Sequence, residues 1–151
     1  MTIESNTFER DVLYFIKSDL TSNITDPIST TRGTKSKFVM TSYPSREVKY
    51  PIITIKTTNH EAVRSGMQTT AMDMRITLEI RVWARNTKER DTLFTSVFNR
   101  LRSIQFTTTT GSIANDLHDF NVGSVVEVNE DGDQAVKSKV IEVSYTFYNF
   151  T

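Results

Sequence analysis

His60 and His118 are the only histidines, and Asp119 follows His118 directly. Histidine is the side chain best suited to acid–base work near neutrality. A Ser-His-Asp triad needs that base held by an acid and facing a nucleophile. Adjacency in sequence does not create such geometry, and no Gly-x-Ser-x-Gly elbow is present to expose a serine. Two surface histidines are the simpler account. Asn129, Asp131 and Asp133 alternate around Gly132 in the manner of calcium ligands, but the loop pattern with its closing Glu is missing. A hairpin turn explains those acids. The glycines are nowhere grouped, so no loop cradles a phosphate. Cysteine is absent, which excludes disulfides and thiolate metal sites. The chain therefore reads as having no catalytic residue, no metal site and no cofactor, and the expectation is that it is not an enzyme.

The strongest pattern lies elsewhere. From Met72 to Arg85 every even position is apolar, and every odd position except Trp83 is polar or charged. A period of two means a β-strand with one buried and one charged face. At about 3.3 Å per residue the strand would span roughly 45 Å, well beyond the usual length. A small domain rarely covers so much sheet, so part of the strand is expected to lie against another copy or a partner. Arg75, Arg81 and Arg85 interleave with Asp73 and Glu79. A nucleic-acid platform would pair bases with several stacking aromatics, and Trp83 is the one aromatic on that face. Alternating charge suits a partner strand, and Trp and Arg are common interface anchors. Arg75, Glu79, Arg81, Trp83 and Arg85 are thus read as an interface, with a solvated outer face as the alternative.

The bulk composition suits one globular domain spanning residues 1–151, with 37% hydrophobic and 24% charged residues. Bases and acids balance at 18 each, so nothing draws the whole chain toward nucleic acid. The charge is unevenly spread. Residues 105–151 hold Asp116, Asp119, Glu127, Glu130, Asp131, Asp133 and Glu142 against Lys137 and Lys139, and the remainder is correspondingly basic. The N-terminus lacks the basic and apolar regions of a signal peptide. No apolar run approaches the roughly 20 residues of a membrane span.

These features need elements to carry them. Asn6 to Glu9 has capping-box residues, and Phe8, Val12, Phe15, Ile16 and Leu20 follow at helical spacing. That helix should fade near Ser22-Asn23. Residues 21–37 read as a loop. Lys37 to Met40 reads as a short strand, and Ile52 to Thr57 as a strand entered through Pro51. Residues 59–70 read as a long polar loop holding His60, Glu61, Arg64 and Met67. Such loops are often functional, so this one is expected to be an arm reaching a neighbour or a mobile crossing without a role. Asn86-Thr87-Lys88-Glu89 repeats the first cap, and Leu93, Val97, Leu101 and Ile104 form one stripe. Residues 113–120 are ambiguous and read as a short turn. Val122 to Asn129 and Lys139 to Phe150 read as strands joined by an Asp-Gly turn. The expected fold is α+β, a mostly antiparallel sheet with two main helices on one face.

Taken together, the chain is similar to the tail-terminator (tail-completion) proteins of long-tailed bacteriophages and related archaeal viruses. The likeness covers most of the chain. It rests on the capped first helix, Phe38 to Pro44, Tyr50 to Ile55, the long alternating strand, the Asn86–Glu89 helix start and the final aromatic strand. It carries no catalytic motif. The resemblance implies a homo-hexameric ring in the virion, assembled in the host cytoplasm, that closes the tail tube and meets the neck. Its partners would be its own copies, the tail tube protein and neck or connector proteins, with DNA only as passing cargo and no membrane. A neck or head-closure connector is the nearest alternative. A small hydrolase or nucleic-acid-binding domain is the alternative of another class. If the hairpin bearing Glu127, Glu130, Asp131 and Asp133 lined the bore, it would keep DNA from sticking, because phosphate binding needs Lys and Arg.

Overall fold

The computed structural model describes residues 7–33, 36–43, 48–64, 66–67, 72–106, 118–128 and 136–149. Helix α1 runs Phe8–Asn23, α2 Ser29–Arg32 and α3 Thr87–Phe106. The strands are β1 Val39–Met40, β2 Ile52–Arg64, β3 Met72–Ala84, β4 His118–Val128 and β5 Lys137–Asn149. They form one sheet in the order β1-β2-β3-β5-β4. All neighbours are antiparallel except β1 and β2. The fold is α+β, as the order of helical and alternating stretches implies.

One face of the sheet is buried. Ile53 and Ile55 of β2, Ile76, Leu78, Ile80 and Val82 of β3, and Ile141, Val143 and Tyr145 of β5 share a core with Val12, Ile16 and Leu20 of α1 and Leu93, Val97 and Leu101 of α3. The helical stripes read from sequence are the faces that close this layer. Arg100 of α3 donates two 2.7 Å hydrogen bonds to Asp19 of α1, clamping the helices together. Asn86 caps α3 as expected, its Oδ1 accepting the Glu89 amide at 2.9 Å. At α1 the cap differs. Asn6 lies outside the described residues, Thr7 stands at the N-cap, and its hydroxyl donates to Asp11 rather than serving the backbone.

Tyr145 is 1% exposed, and its hydroxyl meets no hydrogen-bond partner among the described residues. Burial, with the Glu9 carboxylate adding to it, pushes the phenol above its ordinary value. An unpaired buried hydroxyl costs on the order of 1–3 kcal/mol. Tyr145→Phe should therefore keep or raise the melting temperature; a fall of several degrees would mean that the hydroxyl is bonded.

Three readings from sequence change. First, β3 does not lack cover along its edges: β2 pairs it from Ile52↔Trp83 to Arg64↔Met72, and β5 from Asn149 to Lys137. Both flanking strands are as long as β3, at 13 residues each. Second, Asn59 to Arg64 is strand, not loop. Its side chains are exposed on both faces, so the alternation that marks a half-buried strand disappears. Third, residues 21–37 are not one loop. α1 reaches Asn23, and α2 holds the buried Arg32, whose guanidinium donates to the Asp26 carboxylate and to the Lys49 and Pro51 carbonyls. This fixes the entry to β2, where the Tyr50-Pro51 peptide is cis. Residues 113–117 and the turn at 130–133 lie outside the described residues, but 118–120 are strand.

Candidate interaction surface

The sheet face away from the helices carries the charged positions of β3. In register, Ile52, Trp83 and Ser138 share a row, as do Thr54, Arg81 and Val140, and Lys56, Glu79 and Glu142. Glu79 faces a like charge across β5, which is unfavourable. Two bases offset it: Arg81 Nε at 3.2 Å and Lys56 Nζ at 3.9 Å. The strip thus finds its counter-charges within the chain, on β2 and on β3 itself. Glu79 and Arg81 have counter-charges inside the chain as well as the place on the outer face that phase gave them. Arg75 is exposed in the row between Glu61 and Thr146.

Trp83 is half-buried rather than exposed. Its ring meets Tyr43 at 5.0 Å, tilted by 58°. The Arg81 guanidinium lies 5.0 Å from the same ring centroid, a cation–π distance. Its indole Nε1 donates to Thr54 Oγ1 at 3.0 Å. Tyr43 in turn shares a hydrogen bond with Tyr50, hydroxyl to hydroxyl. Sequence phase placed Trp83 on the right face. It could not show the cover, because Tyr43 arrives from a segment far away in the chain. Around these groups lies a shallow cavity of about 300 Å³ flanked by Tyr43, Lys56, Glu79, Arg81 and Trp83.

Arg85 falls past the end of β3 and does not belong to this face. Its guanidinium donates to both Glu89 oxygens, at 3.3 and 2.7 Å, and its amide also donates to Glu89. The hydrogen bond from Arg85 holds the Glu89 carboxyl below its ordinary range, against the opposing effect of burial. Arg85 therefore steadies the start of α3.

The second surface is the β2–β3 hairpin. Thr58 to Arg64 are all exposed, and at the tip Met67 is 95% exposed. Val63 and Met72 add apolar surface nearby. His60 lies on the helix side, with Nδ1 3.2 Å from Glu9 Oε1, and ties the hairpin to the first turn of α1. Arg64 ends β2 opposite Met72. So His60, Arg64 and Met67 do sit on a projecting element, but it is a ribbon and not a loop. Glu127 stands opposite Lys139 in backbone register. Glu130, Asp131 and Asp133 lie outside the described residues, as do Asn129 and Gly132.

Compared with known proteins, the chain matches no protein-family profile and no curated sequence. Among the described residues no group of three His, Asp or Glu side chains gathers at metal-binding distance. No described helix is long and apolar enough to cross a membrane. A cavity of about 490 Å³ between the end of α1 and the start of α3 is lined by residues that include Ile24, Pro27, Asn86, Glu89 and Leu93. Its polar groups Asn86 and Glu89 are already engaged in capping α3 and holding Arg85. The chemistry on offer is contact chemistry: backbone edges, an exposed apolar tip and a mixed-charge face.

Proposed function

We propose that this protein is a structural ring subunit of a viral tail, a terminator that closes the tail tube and offers a surface to the neck. One observation carries the reading. The β2–β3 hairpin leaves Thr58–Arg64 exposed and the edge of β2 beyond Thr54 without a partner strand among the described residues. A projecting ribbon with an open edge suits a subunit that grips a neighbour, since exposed edges recruit further strands. The basic first part and acidic last part of the chain fit head-to-tail contact between unlike surfaces. The resemblance in element order to tail terminators supplies the assembly.

Native mass measurement of the purified protein, alone and mixed with tail-tube protein, tests this. The expected result is a hexamer that binds and caps tube ends. A chain that stays monomeric at high concentration and ignores tube protein would overturn the reading.

A further inference from the structure

Two edges of the sheet end without a partner strand among the described residues. β1 meets β2 only at Ile53 and Thr54, so β2 is open from Lys56 to Arg64. β4 is paired by β5 on one side; no described strand lies on its other side, although the Val122 amide donates to Gln105 Oε1 of α3 at 3.2 Å. Strand directions matter first. From β2 through β3 and β5 to β4, each neighbour is antiparallel to the last. An even, alternating set can be repeated side by side without breaking that rule. If copies turn about an axis running along the strands, β4 of one copy lies antiparallel to β2 of the next. The contact joins unlike edges, so it closes by rotation and does not form a two-fold dimer.

Register is fixed more sharply. Thr57 lies opposite Leu78 and His60 opposite Ile76, so β2 takes three steps while β3 takes two. Val122 lies opposite Val143 and Val125 opposite Ile141, so β4 takes three steps while β5 takes two. β2 thus carries one extra residue, whereas β4 carries this one and a second between His118 and Asn121; each is a bulge that re-phases every side chain beyond it. The two strands stay in phase over 56–62 and 120–126 when the β2 bulge faces the one between Val122 and Val125, and the second β4 bulge ends the match beyond Phe120. The bulges face each other with Thr57 opposite Val125 and His60 opposite Val122. Lys56 then faces Val126, Glu61 faces Asn121 and Ala62 faces Phe120. On either side of the bulge, partners lie on the same face of the sheet. Thr57, His60, Val122 and Val125 sit in rows with Leu78, Ile76, Val143 and Ile141 on the helix side. Lys56 and Val126 sit in rows with Glu79 and Val140 on the open side. A slip of one residue turns each pair to opposite faces, and a slip of two staggers the bulges.

Chemistry agrees with geometry. Val125 and Val126 are 43% and 50% exposed in the free chain, and an added strand would cover them. β1 stands at Thr54 and blocks the edge there, which sets where the incoming strand must stop.

We propose that β4 of one copy adds to the open edge of β2 in the next, residues 120–126 antiparallel to residues 56–62, so that one sheet runs unbroken around a closed assembly. The proposal rests on the ring reading above and names the contact that holds the ring.

The chain has no cysteine, so introduced pairs report cleanly. Facing residues of antiparallel strands lie about 4.5–5.5 Å apart at Cα, within disulfide reach. Lys56→Cys with Val126→Cys, and Glu61→Cys with Asn121→Cys, are in register; Lys56→Cys with Asn121→Cys is the out-of-register control. On oxidation, at least one in-register pair should give cross-linked multimers ending in one closed species. The control pair and each single-cysteine variant should remain at monomer mass in denaturing gels. In the unmodified protein, amide exchange across 56–62 and 120–126 should slow in the assembled form and not in the monomer. A ring that caps tubes but gives neither cross-links nor protection removes this contact and leaves the tail assignment. A cross-linked ring that ignores tube protein keeps the contact and removes the tail assignment. Dimers from a single-cysteine variant would show like edges pairing and overturn the proposal, and a permanently monomeric chain overturns both readings.

Discussion

Trp83→Ala is expected to cost the isolated subunit about 3 kcal/mol, seen as a lower midpoint in chemical denaturation. Truncating a buried Trp costs roughly 3–5 kcal/mol, and Trp83 falls at the low end because it is only half-buried. The loss has several parts: the Tyr43 contact, the stacking of Arg81 and the hydrogen bond to Thr54. For a domain of this size the melting temperature should fall by about 10 °C. Sequence phase alone would make Trp83 a free anchor whose removal spares the monomer. A variant with unchanged stability but broken assembly would restore that view. Changes at the strand edges, such as those at Lys56 and Val126, separate assembly from stability far better.

Asp26→Ala should be as damaging, at about 3 kcal/mol. Arg32 is 4% exposed, and removing the carboxylate leaves a buried guanidinium that keeps the Lys49 and Pro51 carbonyls and the Phe38 ring but has no counter-charge from Asp26. The same pair predicts an acid limb. Burial alone would raise the Asp26 carboxyl, but the hydrogen bonds from Arg32 and the Ile28 amide outweigh it, and the folded value lies below the ordinary 3.8. A depressed folded value means that folding favours the ionised form. Its contribution is complete above the unfolded value and is lost as pH falls through the folded one. Urea midpoints measured down through pH 4 should therefore decline in the native protein, and Asp26→Ala should flatten that decline. An unchanged acid profile in the variant would show that Asp26 is not the group responsible.

The parts of the fold that were legible from the residues are those with one wet and one dry side. The α1 and α3 stripes, β3 and β5 turn apolar residues to the shared core and mostly polar ones away from it, so their periodicity reports the layer they belong to. The distal half of β2 escaped because its side chains are exposed on both faces, and a strand wet on both sides has no period to read. The Asp26–Arg32 anchor escaped for another reason. Two of the Arg32 acceptors are backbone carbonyls at Lys49 and Pro51, and main-chain oxygens leave no mark on residue type. At the candidate surface, residue type and phase located Glu79, Arg81 and Trp83 correctly on one face. They could not show that Lys56, Thr54 and Tyr43 already serve them, because those partners come from other segments. Arg85 looked like a continuation of the same face, but the strand stops at Ala84 and the helix cap claims it.

The place of β5 in the sheet has a consequence for synthesis. β3 lies between β2 and β5, yet β5 comes after every other described strand in the chain. While the ribosome is still adding residues 85–136, the long middle strand has its N-terminal neighbour and nothing on its other flank. Nascent chains therefore carry an open, strongly apolar ladder until the final strand emerges from the exit tunnel, and contacts so distant in sequence form slowly. β5 acts as the lock of the whole fold, and products that stop before it should be the species that clump or require chaperones.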